Sequence, residues 1–487
     1  MDAIRRHKAL IIITALGALL RLSTLTVESM WYDETFTAWL AGLPLPQLWD
    51  ATMGDVHPPT WYIIERGMVL LLGRSEFSLR IISALAGIAL IPAVYRLARS
   101  FDRLPREALQ AAALAAVAPF LVQYSQEARA YSLIYLLTTL ATIAMLDRRW
   151  LLLTLSAAAA LYLHNLTVFY IAALGWLALW RYRLDWRPLL ALAAAALLWA
   201  PWVFYGLLPQ AADVADGFWV RTPTWGTPFF ILTGWLFSEK ALLFVAVSAP
   251  VLAIGLGQAL NRPDPHRWPL LALLLLPLSG AVIVSVVVAP VVVARVIGSS
   301  AVVLVLLLAP ALIPAEVPRR DWPTVSYYAL PAAFFLIVAA LYPIWYTSDR
   351  IGRYPWDYGL APVLDEIQPG DGLFHANLGT YIVLDYYLPQ DQWVWLQAND
   401  LSQSLTNQTK WAMQMQQAQF EEVRCLHPRW YLAFYENPTT DDRERAEVAR
   451  LVEKYHGEQI TTILDNQLVN ARVYRLANVC PEVASND

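Results

Sequence analysis

The chain has 487 residues, 58% of them hydrophobic and only 15% charged. Soluble domains carry nearer a quarter charged residues, so this composition excludes an ordinary soluble globular protein and points to a membrane protein. The formal net charge of −4 excludes the strongly basic balance that a nucleic-acid partner calls for.

The N-terminus, "MDAIRRHKALIIITALGALLRL", is a basic flank followed by an apolar run. No small-residue cleavage site follows, so it reads as an uncleaved first transmembrane helix rather than a signal peptide. Stretches without Asp, Glu, Lys or Arg then occur at 108–126, 130–146, 150–180, 188–212, 241–261, 268–294 and 322–348. A helix rising about 1.5 Å per residue crosses a hydrocarbon core of ~30 Å with roughly 20 residues. The run 150–180 is too long for one span and carries "LHNLT" at its centre, which predicts two short helices turning at His164 and Asn165.

The expected spans are 9–27, 78–98, 107–124, 130–147, 150–163, 166–180, 188–206, 240–260, 268–289, 294–314 and 325–345. With these bounds the basic clusters fall on one face: Arg5, Arg6 and Lys8; Arg96, Arg99, Arg103 and Arg106; Arg148 and Arg149; Arg181, Arg183 and Arg187; Arg262 and Arg267; Arg319 and Arg320. The positive-inside rule makes that face cytoplasmic. The segment 58–73, "PPTWYIIERGMVLLLG", holds an adjacent Glu65–Arg66 pair and is expected to lie in the interface. The expectation is thus an α-helical polytopic membrane domain over 1–345, with about eleven spans, N-terminus inside and C-terminus outside. Interfacial helices occupy the first outer loop, at about 33–73.

From about residue 346 the chain becomes charged. Short β-rich runs, "GLFHA", "QWVWLQA", "RWYLAFY", "EQITTIL" and "ARVYRL", alternate with helical stretches such as 410–422 and 440–455. That rhythm predicts a small extracytoplasmic α/β domain over 346–487. Both cysteines lie there, Cys425 before "RWYLAFY" and Cys480 after "ARVYRL". Antiparallel pairing of those two strands would bring the thiols together for a disulfide, and two unrelated buried thiols are an equal alternative.

Under this topology the outward loops collect Asp33, Glu34, Asp55, His57, Glu127, Arg129, Tyr131, His164, Asn165, Asp213, Asp216, Arg221 and Arg295. Ionisable groups at membrane depth are costly unless paired or lining a polar cavity, so the set marks a candidate functional cavity. Each member also has a plainer reading. Asp33 is a favoured helix N-cap, His57 before Pro58 and Pro59 suits a turn, and Arg129 and Arg295 suit interface anchors. His164 suits the cap of a hairpin, and Glu127 suits an ion pair with Arg129.

The ordered motifs "WYDE", "HPPTWYII", "SEFSLRIISALAG", "YSQEARAYSL" and "YLHN" resemble the polytopic GT-C glycosyltransferases of the protein O-mannosyltransferase and aminoarabinose transferase type, glycosyltransferase family 39. The resemblance covers residues 1 to about 300. One departure is "ARVIG", where many relatives have Arg-Tyr and this chain has Arg295 and Val296. The resemblance implies inverting transfer of a sugar from a polyprenyl-phosphate donor to an acceptor hydroxyl on the extracytoplasmic side of the cell's inner (plasma) membrane. It implies catalytic roles for the acidic motif at Asp33 and Glu34, with His57, Glu127 and Arg129 carried over from the remaining motifs.

Chemistry points the same way. Nucleotide sugars stay in the cytoplasm, so an outward-facing transferase needs a lipid-linked donor. A sugar phosphate already carries a good leaving group, and one carboxylate suffices as base, for which Asp33 is the choice. His57, Arg129, His164, Arg221 and Arg295 are the candidates to meet the growing phosphate charge. No cofactor is required; a divalent ion held by Asp33, Glu34 or Glu127 is the less favoured route. The expected partners are the lipid-linked donor, membrane lipids, and an acceptor that is glycan, lipid or protein. The alternatives are a flippase or transporter of lipid-linked sugar, and a related oligosaccharide transferase.

Overall fold

The computed structural model describes residues 2–183, 185–213, 220–236, 242–261, 264–312, 336, 339–343, 356–388, 393–398, 405–436, 440–465 and 469–480. The helices of its first part are α1 (Asp2–Leu22), α2 (Tyr32–Gly42), α3 (Leu45–Met53), α4 (Thr60–Leu72), α5 (Glu76–Ser100), α6 (Pro105–Val117), α7 (Pro119–Gln123) and α8 (Tyr131–Leu146). They continue as α9 (Trp150–Leu163), α10 (Val168–Tyr182), α11 (Arg187–Trp202), α12 (Leu208–Asp213), α13 (Thr227–Gly234), α14 (Leu242–Asn261), α15 (Arg267–Val287) and α16 (Ser299–Leu312). The chain divides into two compact units, one of residues 1–25, 57–61 and 80–343, the other of 26–56, 62–79 and 344–487.

The first unit is helical, with α1 against α6, α9 against both α8 and α11, α10 against α15, and α16 against α14 and α15. Among the described residues, Glu76–Ser100, Arg187–Ala211 and Arg267–Val287 are long and apolar enough to cross a membrane, and α8, α9 and Ser299–Pro310 are shorter apolar helices. The segment expected at 325–345 lies largely outside the described residues. The expected span 107–124 is not one helix. Pro119 cannot supply an amide and forces Ala118 out of helical geometry (ψ 117°), so α6 ends at Val117 and α7 begins anew. The carbonyls this frees are met from α1: the buried Arg21 donates to Ala116 O at 2.8 Å and to Ala115 O at 3.1 Å.

The expected span 294–314 also starts later, at Ser299. The hydroxyl of Ser285 accepts from the backbone N–H groups of Val291 (2.8 Å) and Val292 (3.0 Å), which holds the stretch after Pro290 out of helix. Arg295 therefore stands in a turn before α16, not within a span.

The second unit contains a six-stranded sheet of order β3-β2-β1-β4-β6-β5. Its strands are β1 (Gly372–His375), β2 (Trp393–Gln397), β3 (Gln417–Ala418), β4 (Trp430–Glu436), β5 (Glu458–Asp465) and β6 (Val469–Leu476). β1 runs parallel to β2 and β4, whereas β6 is antiparallel to β4 and β5. Alternation along the strands sorts two cores. Leu373, Tyr431, Ala433, Ala471 and Val473 face helices α17 (Trp356–Glu366) and α18 (Leu378–Tyr387). Phe374, Trp430, Leu432 and Phe434 face α21 (Asp442–Lys454), and the latter core also holds Phe420 from the short α20 (Phe420–Val423). The five strand motifs seen in the sequence are all strands here. With β4 and β6 antiparallel, Cys425 and Cys480 form a disulfide across a Cα–Cα distance of 5.2 Å.

The expected helix 410–422 is broken. α19 (Asn407–Ala412) stops before Gln414, whose φ of 56° is left-handed, and Gln416 O and Ala418 O then accept from Leu396 N and Ala398 N. Edge pairing to β2 thus outcompetes helical continuation.

The first loop belongs to this unit. Trp31 and Tyr32 pack on the α17–α18 core, Trp39 stacks on Tyr381 (5.5 Å, 16°), and the hydroxyl of Thr409 donates to Ala51 O at 3.0 Å. Helix α4 replaces the expected interfacial segment closely, yet Glu65 and Arg66 are not a pair. Successive helical residues point about 100° apart, and the Arg66 guanidinium turns to the carbonyls of Ala41 and Leu43 at the end of α2.

Candidate active site

The motif "YSQEARAY" forms the turn between α7 and α8 and is anchored on three sides. The amide of Gln126 donates to Arg21 O (3.0 Å) and Thr24 Oγ1 (3.0 Å), the Trp61 indole donates to Ala128 O (3.2 Å), and Ser83 Oγ donates to Arg129 O (2.7 Å). Backbone carbonyls so fixed leave the side chains of Glu127 and Arg129 with defined positions. Glu127 is buried, and its Oε1 accepts from Gln123 Nε2 at 3.1 Å.

Around this turn a cationic cluster forms within the first unit. Arg129 Nη2 lies 3.3 Å from His57 Nε2, and the His57 ring meets His164 edge to face at 5.1 Å. Tyr131 is the hub. Its hydroxyl accepts from Arg295 Nε at 3.0 Å, and the guanidinium carbons of Arg129 and Arg295 each lie 5.8 Å from its ring centre, within cation–π range. Tyr135, one turn on, donates to Arg295 O, and Gly298 is close enough to that phenol that no side chain fits there.

His164 does two things at once. It caps the short turn Asn165–Thr167, its Nδ1 accepting from Leu166 N at 3.2 Å, which leaves Nε2 to carry the ring proton. Burial, and then the charges of His57, Arg129 and Arg295, lower its basicity, so it sits in the cluster as a neutral imidazole. Trp202 Nε1 holds the neighbouring Asn165 Oδ1 at 2.8 Å.

The structure thus brings together His57, Arg129, His164 and Arg295, with Glu127 on the same turn. Arg221 is exposed on an extended stretch before α13, and among the described residues no hydrogen bond or ring contact joins it to the cluster. Asp33 and Glu34 belong to the second unit, where they open α2. Asp33 does not cap that helix; Trp31 is the N-cap residue, and its backbone N–H meets Glu34 Oε2 at 3.4 Å. Tyr131 and Tyr135 were not singled out for the site. Their spacing of four on one helix face was the available signal, masked by the frequency of tyrosine in apolar helices. Among the described residues no three His, Cys, Asp or Glu side chains gather as a metal site. The arrangement is chemically an anion receptor: two guanidinium groups held by phenols, beside imidazole N–H donors.

Comparisons with known proteins agree with this picture. The sequence profile of the dolichyl-phosphate-mannose-protein mannosyltransferases matches residues 56–205. No curated protein sequence matches the chain. In fold, the chain is similar to ArnT from Cupriavidus metallidurans in the apo state, with 12% identity and a TM-score of 0.62 over 98% of this chain and 99% of that one. The same protein bound to undecaprenyl phosphate gives 12% identity and a TM-score of 0.59 over 96% and 98%. The Archaeoglobus fulgidus oligosaccharyltransferase tethered to an acceptor peptide gives 14% identity and a TM-score of 0.51 over 93% and 72%. By the matched profile and the shared fold, the chain is a GT-C protein of the protein O-mannosyltransferase and aminoarabinose transferase type.

Proposed function

We propose that the chain is an inverting glycosyltransferase that moves a sugar from a polyprenyl-phosphate donor to an acceptor hydroxyl on the extracytoplasmic side of the inner membrane. Asp33 takes the proton of the acceptor hydroxyl as its oxygen attacks the anomeric carbon, and the bond from that carbon to the phosphate oxygen breaks on the opposite side. Glu34 and Glu127 support this chemistry as the remaining carboxylates of the motifs. Arg129 and Arg295, with His57 and His164, receive the departing phosphate. Arg221 contributes least to this reading, being exposed and outside the cluster.

The observation that carries the reading is the joining of Arg129 and Arg295 through Tyr131, next to the His57–His164 pair. Cationic donors placed before reaction stabilise charge that develops on a leaving phosphate, and losing one such donor typically costs about 100-fold or more in rate. The test is release of free polyprenyl phosphate by full-length protein in liposomes offered a panel of polyprenyl-phosphate sugars. Arg129→Ala and Arg295→Ala should each lower release at least about 100-fold with normal membrane insertion. Release unchanged in both variants would remove the cluster from the reaction. Movement of labelled donor between leaflets without release would favour a flippase.

A further inference from the structure

Glu65 is the deepest carboxyl in the first loop, and the proposed reaction gives it no role. It lies on α4 with 0% exposure, and neither of its oxygens has a hydrogen-bond partner. A carboxylate in that position would forfeit its hydration with nothing in return, a far larger cost than leaving a neutral acid there. Two features aggravate the cost. Glu34, on α2 of the same unit, is buried to 1% exposure and acts on Glu65 as a like charge. Arg66, the adjacent residue on α4, is committed to the carbonyls of Ala41 and Leu43. Burial first, and the Glu34 charge second, hold the Glu65 carboxyl well above the usual carboxylate range.

We propose that Glu65 is a positioning residue of the first loop that stays protonated beside an ionised Glu34, so that the two carboxyls hold one proton between them. The pair then carries a single negative charge next to Asp33 in sequence. A second charge would repel the phosphate of an anionic donor and raise the proton affinity of its neighbours. Two carboxyls sharing one proton is the stable state whenever like charges approach in a poorly hydrated site. The consequence for turnover rests on the transferase reading above, whereas the protonation state does not.

The experiment is infrared spectroscopy of the full-length protein in liposomes, titrated with alkali, for wild type, Glu65→Gln and Glu34→Gln. The carbonyl band of a protonated carboxylic acid should be present at neutral pH in wild type and missing in Glu65→Gln. In Glu34→Gln, which removes the like charge, the band should disappear at a lower pH than in wild type. Identical wild-type and Glu65→Gln spectra at neutral pH would overturn the proposal, as would a titration midpoint that Glu34→Gln leaves in place. The wild-type and Glu34→Gln titrations decide the matter even if Glu65→Gln folds poorly. Where donor turnover is measurable, wild type should lose activity on the alkaline side and Glu65→Gln should not. Spectra as expected, with no donor turnover at all, would leave the proton-sharing pair standing and count against the transferase reading alone.

Discussion

The backbone N–H of Met30 donates to the hydroxyl of Tyr387, 357 residues further along the chain. This bond ties the start of the acidic first loop to a helix of the C-terminal sheet domain. It is one of several: Trp39 stacks on Tyr381, Thr409 Oγ1 donates to Ala51 O, and Thr406 Oγ1 donates to Gly54 O at 2.8 Å. The loop that carries Asp33 is thereby part of the same folded unit as the tail.

That fastening predicts a measurable coupling. A net hydrogen bond is worth about 1 kcal/mol, and an aromatic pair about as much beyond its buried area. Tyr387→Phe combined with Trp39→Ala should speed amide hydrogen exchange across residues 30–42 by roughly tenfold or more. Unchanged exchange there would mean the loop holds itself without the tail.

The disulfide predicts a second effect. Cys425 and Cys480 are 55 residues apart, and a cross-link closing a loop of that length constrains the unfolded chain by about 4 kcal/mol. Cys425→Ser should lower the melting temperature of the sheet domain by several degrees, and reductant should do the same to wild type only. Equal melting of the two proteins without reductant would contradict this.

His375 gives the tail a pH dependence. It is fully buried with Nδ1 2.8 Å from Thr380 Oγ1, and burial pushes its pKa from 6.5 down to about 3. The unfolded chain binds a proton below about 6.5 that the folded domain refuses until about pH 3. Stability is therefore intact above that window and falls as pH drops through it, by about 1.4 kcal/mol per unit at most. His375→Gln should flatten this slope in a denaturation series. An unchanged slope would place the acid sensitivity elsewhere.

Much of this architecture was legible in the sequence. Uncharged apolar runs marked α8, α9, α10, α11, α14 and α15, because hydrocarbon admits only segments whose backbone is internally satisfied. The β-rich runs marked five strands, and the positions of Cys425 and Cys480 around two of them left the disulfide open as one alternative. What was hidden depended on contacts remote in sequence. The capture of two backbone amides by Ser285 moved Arg295 out of a helix, and the left-handed Gln414 turned a presumed helix into an edge strand. The candidate site was legible as a list, since His57, Arg129, His164 and Arg295 each stood out as ionisable groups in outward loops. Its centre was not, because Tyr131 carries no charge to betray it. Glu65 was misread for a related reason: adjacency to Arg66 suggested a pair that helical geometry forbids.

The catalytic claim comes down to Asp33. We would measure release of free polyprenyl phosphate from a matching polyprenyl-phosphate sugar by wild type and Asp33→Asn, each full length, inserted in liposomes and shown to retain the Cys425–Cys480 bond. Loss of release in Asp33→Asn, with insertion and disulfide intact, is the predicted result. Release at the wild-type rate by the inserted variant would contradict the assignment of Asp33 as the base.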